Sequence, residues 1–90
     1  MSIMTMENQL KYVEVFTDGA CKGNPGPGGW GAAFFEGDVL MDSLYSGEME
    51  TTNNRMELQA LIAACAHIED NGLLEDYNII IWTDSNYVLK

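Results

Sequence analysis

Thr52–Asp84 reads TNNRMELQALIAACAHIEDNGLLEDYNIIIWTD, and within it the hydrophobic period changes once. Over Thr52–Asn71, the residues Leu58, Leu61, Ile62, Cys65 and Ile68 recur at helical spacing. That spacing predicts an α-helix with these five as its buried stripe. Thr52 stands where an N-cap is wanted, and Gly72 where a helix stops. From Asn78 to Asp84, NIIIWTD is short and almost continuously apolar. Such a run suits a strand covered on both faces.

Upstream the signals are those of strands. Lys11–Asp18 (KYVEVFTD) is rich in β-formers, and Gly19–Gly29 (GACKGNPGPGG) holds five glycines and both prolines, which predicts a loop. Trp30–Glu36 (WGAAFFE) and Val39–Met49 (VLMDSLYSGEM) read as two further strands joined by a tight turn at Gly37-Asp38. Met1–Leu10 is expected to be a flexible N-terminal extension, with residues 11–90 as the folded part. Ser85 is placed to cap one more helix over Asn86–Lys90. The order is β-β-β-α-β. A strand, a crossover helix and a second strand beside the first must run parallel, so an α/β fold with a mixed sheet is expected.

Ninety residues make at most one domain, and 47% hydrophobic with 20% charged residues fits a globular chain. The net charge of −10, with only Lys11, Lys22, Arg55 and Lys90 as cations, admits two readings. One is an acidic surface that keeps away from polyanions. The other is a set of acids gathered to hold divalent cations, which would then meet phosphates. No apolar run approaches the roughly 20 residues that cross a bilayer, so no membrane association is expected. Met1–Leu10 has neither the charge nor the apolar block of a secretory signal. Cys21 and Cys65 are isolated thiols, expected to be reduced in a cytoplasmic protein.

Asp18 and Asp84 both close predicted strands. If those strands are parallel neighbours, the two carboxylates share one sheet edge, roughly 5 Å apart, at the carboxyl edge where ligand sites of such sheets lie. Each has a plainer explanation: Asp18-Gly19 as a turn, Asp84-Ser85 as a cap. Glu57 serves either as the reach-back acid of a capping box with Asn54 or, if Thr52 is the cap, as a side chain one turn in and free to face the sheet edge. Converging carboxylates repel, and a hard divalent cation with oxygen ligands relieves that. Gly26, Gly28 and Gly31 match GxGxxG, but a strand follows where a dinucleotide site needs a helix.

Thr17–Gly31 (TDGACKGNPGPGGWG), Thr51–Leu58 (TTNNRMEL) and Thr83–Val88 (TDSNYV) resemble the signature segments of type 1 ribonuclease H, in the family's order and over about Lys11–Lys90. The resemblance implies the N-terminal part of a ribonuclease H-like mixed sheet, in which three antiparallel strands form a meander and the fourth runs parallel to the first. It implies an endoribonuclease that hydrolyses the RNA strand of RNA–DNA hybrids by a two-metal-ion mechanism. The implied cofactor is Mg²⁺, with Mn²⁺ able to replace it. By position, Asp18, Glu57 and Asp84 match three of four catalytic, metal-binding carboxylates. Cys21, Asn24, Asn53, Asn54 and Asn86 match residues along the minor groove of the hybrid, and Thr52 matches a pocket for a DNA-strand phosphate.

There are two departures from the family pattern. Glu50 stands where some members carry a basic residue before the threonine pair. The family's later helices, fifth strand, loop histidine and fourth aspartate have no match within residues 11–90. A second reading follows: a non-catalytic, truncated or split subunit that binds metal or hybrid weakly, or needs a complementing polypeptide. The fifth strand would lie beside Asn78–Asp84. That apolar edge, with no Lys or Pro to discourage pairing, is expected to self-associate or to take up a complementing chain.

Overall fold

Val13, Val15 and Thr17 are buried while Tyr12, Phe16 and Asp18 between them are exposed, and this period of two sets the faces of the sheet. The computed structural model describes residues 11–83. They form strands β1 (Lys11–Cys21), β2 (Gly26–Glu36) and β3 (Val39–Thr51), helix α1 (Asn53–Asp70), the single turn α2 (Leu73–Asp76) and strand β4 (Tyr77–Trp82). The sheet order is β3-β2-β1-β4. β1 runs antiparallel to β2 and parallel to β4, and β2 runs antiparallel to β3. The expected meander and parallel crossover are both present. The proposed extension over 1–10 lies outside the described residues, as do Asp84, Ser85, Asn86 and the short helix expected after them.

One face of the sheet takes α1. Val13 and Val15 of β1, Ala32 and Phe34 of β2, and Ala64 and Ile68 of α1 form the core, with Leu44, Leu73, Tyr77, Ile79 and Ile81 packed around it. Burying each of the larger side chains contributes about 1.5–3 kcal/mol. On the opposite face Phe16 stacks on Trp82 at 6.4 Å and meets Phe35 edge-on at 5.7 Å, while Trp82 Nε1–H donates to Glu14 at 3.0 Å. Phe16, Ile80 and Trp82 stay about half exposed there, so among the described residues β4 is covered on one face rather than two.

The buried stripe of α1 differs from the expected one. Met56, Ala60, Ala64 and Ile68 face the sheet, whereas Leu58 and Ile62 are about half exposed and Cys65 is exposed. The helix approaches the sheet closely, so the inward face favours alanines four residues apart, and the bulkier side chains turn away. His67 packs inward on the same helix. Its ring lies 4.5 Å from the Phe34 ring and its Nε2 3.3 Å from Asp42 Oδ2. Thr52 is the N-cap, its hydroxyl accepting from Arg55 N–H, and Gly72 past the C-cap Asn71 adopts φ 62°.

The predicted loop is the other correction. β1 continues to Cys21 and β2 begins at Gly26, leaving only Lys22–Pro25 between them. These glycines serve close packing. A Cβ on Gly28 would lie 2.6 Å from Thr51 Cγ2 and 2.8 Å from the Ala20 carbonyl oxygen. The Asn24-Pro25 peptide is cis, and Lys22 N–H donates to the Pro27 carbonyl at 2.8 Å.

At the opposite end of the sheet, the Tyr77 hydroxyl donates to Glu36 at 3.1 Å, and Lys11 reaches the same carboxylate at 3.7 Å. The hydrogen bond to Glu36 raises the Tyr77 phenol above its ordinary value of 10.0, with desolvation and the charges of Glu36 and Asp76 adding to it. The folded state thus holds this proton more tightly than the unfolded chain. The associated stability is fully present below the unfolded value and is lost as pH rises through the raised one. In urea titrations across the alkaline range, Tyr77→Phe should remove that part of the decline in midpoint; an unchanged pH profile would show the bond contributes nothing.

Candidate functional site

β1 and α1 meet most closely where a glycine removes the obstacle. A Cβ on Gly19 would lie 2.4 Å from the Met56 carbonyl carbon and 2.6 Å from Glu57 N, both backbone atoms that cannot step aside. Gly19 therefore lets the second turn of α1 rest on β1. Asp18 precedes that glycine, and Glu57 supplies one of the backbone atoms it touches. The backbones at Asp18-Gly19 and Met56-Glu57 are thus neighbours through that contact. Because Thr52 is the cap, Glu57 lies beyond the first turn, which holds no acid, and the capping-box alternative drops out.

Asp18 is not the last residue of its strand, since β1 runs three residues further to Cys21. On the β2 side it pairs with Gly31. On the β4 side the parallel register ends at Phe16↔Trp82, and the Thr17 hydroxyl donates to the Trp82 carbonyl at 3.1 Å. Asp18 stands just past that pairing, at the carboxyl end of both parallel strands. Asp84, the third expected carboxylate, lies two residues beyond Trp82 and outside the described residues. Among the described residues neither Asp18 nor Glu57 takes part in an ion pair or side-chain hydrogen bond, and no group of three potential metal ligands occurs. Carboxylate oxygens free of protein partners are the kind of donor a hard divalent cation takes.

A second cluster adjoins the first. Cys21 Sγ lies 3.1 Å from the Thr51 carbonyl and 3.3 Å from that of Gly26, where its S–H donates. Asn53 N–H donates to Asn24 Oδ1 at 3.3 Å, which ties the hairpin connection to the first residue of α1. Cys21, Asn24, Thr52, Asn53 and Asn54 thus form one corner where β1, the hairpin and the helix N-terminus meet. Asn86 lies outside the described residues. The asparagines and thiol can donate and accept without charge, and both cysteines are free.

Sequence reasoning missed Gly19, read only as a turn residue, and the hydroxyl of Thr17. It also missed an ion pair beside the second cluster, Arg55 to Glu48 at 3.8 Å. Positions within the TDG run carried the first two signals. The third has none in the sequence, since it depends on how β3 lies against α1.

Comparison with known proteins agrees with the fold. The RNase H family profile matches residues 10–90. A ribonuclease H of Rhizobium meliloti (strain 1021) is 52% identical over 80 residues, covering 89% of this chain and 48% of that protein. One from Nitrosomonas eutropha is 50% identical, covering 97% and 54%. The chain spans about half the length of the curated relatives it matches. Among solved structures, LC11-RNase H1 isolated from compost superposes with a TM-score of 0.77 at 32% identity, covering 89% of this chain and 59% of that one. Its complex with an RNA/DNA hybrid gives 0.73, covering 84% and 56%.

Gly19→Ala tests the contact that joins the two acids. Forcing a methyl group against fixed backbone should cost about 1–3 kcal/mol, read as a lowered urea midpoint. Retention of full stability would mean that α1 does not rest on β1 as described.

Proposed function

The chain belongs to the ribonuclease H family, and from that membership we propose that it carries part of a metal-dependent endonuclease acting on the RNA strand of RNA–DNA hybrids. The observation that supports this reading most is the Gly19 contact, which sets Asp18 beside the second turn of α1 with its oxygens unengaged. Asp18, Glu57 and Asp84 are the proposed ligands, with Mg²⁺ as the ion and Mn²⁺ as its substitute. Bound divalent ions would supply charge stabilisation at the scissile phosphate in a two-metal mechanism. The protein's own part is positional. β1 holds Asp18 rigidly within the sheet, α1 presents Glu57 from the side, and the Thr17–Trp82 bond fixes the end of β4 that leads to Asp84.

The corner of Cys21, Asn24, Thr52, Asn53 and Asn54, with Asn86, is the proposed hybrid contact. Neutral amides can meet both 2′-hydroxyls and base edges without reading sequence. The free thiols suit a reducing, cytoplasmic setting, and no helix among the described residues is long and apolar enough to cross a membrane.

Three of the four carboxylates that the family resemblance implies are within this chain. The 90-residue chain alone should therefore bind Mg²⁺ or Mn²⁺ weakly and cut hybrid poorly or not at all, because losing one catalytic ion removes several kcal/mol of charge stabilisation. Calorimetric titration should show weak Mn²⁺ binding that Asp18→Asn abolishes. Binding unchanged by Asp18→Asn would refute the site. Efficient cleavage by the 90-residue chain, lost in Asp18→Asn, would refute the expected weakness while supporting the reaction.

A partner surface is proposed on the other flank. Among the described residues β4 pairs only with β1, and Tyr77–Trp82 carries no charge. Beside it lies a groove of about 430 Å³ lined by Cys65, Ile68, Leu74, Ile79 and Ile81. An edge of this kind favours a further strand, from a complementing chain or from a second copy. Light scattering over a concentration series should reveal self-association; a monomer that stays folded throughout would leave only the complementing chain.

A further inference from the structure

Three of the chain's four cations lie within the described residues, and they are unevenly placed. Lys11 is engaged with Glu36 at the start of β1, which leaves Lys22 and Arg55 at the end that carries Cys21 and Asn24. Arg55 stands in the first turn of α1, its backbone N–H held by the Thr52 hydroxyl at 3.3 Å. A cation at that position faces the positive end of the helix dipole and gains from a counter-charge. Glu48 of β3 supplies it, with Oε1 3.8 Å from Arg55 Nη2. Glu48 pairs with Gly28, and Gly28 pairs with Cys21, so the three occupy one row across the sheet. That row places Glu48 about two strand spacings, roughly 10 Å, from the corner proposed to meet the hybrid. The Arg55 side chain is 63% exposed, so it is held by Glu48 yet open to an incoming anion.

We propose that Glu48 tunes nucleic-acid affinity as an internal counter-ion that occupies Arg55 and that a backbone phosphate must displace. The inference rests on the hybrid-binding reading above. Displacement is easy, because an exposed pair of this kind is weak and screened by salt. It nevertheless decides whether Arg55 counts as a phosphate contact. In a chain of net charge −10 with few cations at this end, that single contact matters.

The test measures binding of the full chain to a fluorescent RNA–DNA hybrid by anisotropy, across a salt series from low ionic strength. Glu48→Gln, which keeps shape and removes charge, should tighten binding about threefold at low salt, the scale of an exposed ion pair. It should also steepen the dependence of log K on log salt by up to about one, the signature of one more neutralised phosphate. Glu48→Lys should go further in the same direction. In the Arg55→Gln background, Glu48→Gln should leave the slope unchanged. An equal gain in that background would reduce the effect to general charge and overturn the proposal, as would failure of all variants to bind, Glu48→Lys included. A DNA duplex run in parallel separates the two readings. Equal binding of duplex and hybrid with the Glu48 effect intact would break the hybrid reading alone. Preference for hybrid without any Glu48 effect would break this one alone.

Discussion

The contact of α1 backbone on β1 backbone at Gly19 is the constraint from which most of the arrangement follows. No side chain larger than hydrogen fits between the strand and the Met56–Glu57 peptide. The helix presents Ala60 and Ala64 to the sheet between the buried Met56 and Ile68. The same seating carries Glu57 to the flank of Asp18. Packing and site geometry are therefore one fact, and a change that loosens one loosens the other.

The acidic balance takes on a definite meaning once partners are assigned. Glu14 accepts from Trp82, Glu36 from Tyr77 with Lys11 nearby, Asp42 meets His67, and Glu48 meets Arg55. These acids fix edges and ends of the fold. Asp18 and Glu57, adjacent through the Gly19 contact, have no such partner among the described residues. If the proposed cation site is right, these unpartnered acids would reconcile a net charge of −10 with the proposed polyanionic substrate.

How far the sequence reveals this depends on whether a signal is local. The Gly37-Asp38 turn, the Thr52 cap and the Gly72 stop are set by neighbouring residues, and all three appear where the pattern places them. The parallel pairing of β1 with β4 follows from chain connectivity, and it too is present. What was misread depends on contacts distant in sequence. The glycines of Gly26–Gly29 resemble a loop in composition, yet they extend β2 because Thr51 and the Ala20 carbonyl lie against Gly28. Of the candidate site, Asp18, Glu57 and the Cys21–Asn54 corner were singled out through motif resemblance. Gly19 and Thr17, which bring them into place, were visible as letters but not as causes.

The misread stripe of α1 has a further consequence for how this domain is built. A helix with one apolar face belongs at a surface, whereas one apolar on both sides belongs between layers. α1 is of the second kind, with alanines toward the sheet and Leu58 and Ile62 turned outward. Cys65 lines the groove beside β4, which among the described residues is an edge strand of the sheet. The aromatic face of Phe16 and Trp82 is a third uncovered apolar surface, on the other side of the same sheet. Among the described residues, three apolar surfaces thus adjoin two neighbouring elements. β1, paired on both sides and touched by α1 at Gly19, is the strand on which these surfaces and the Asp18 position converge.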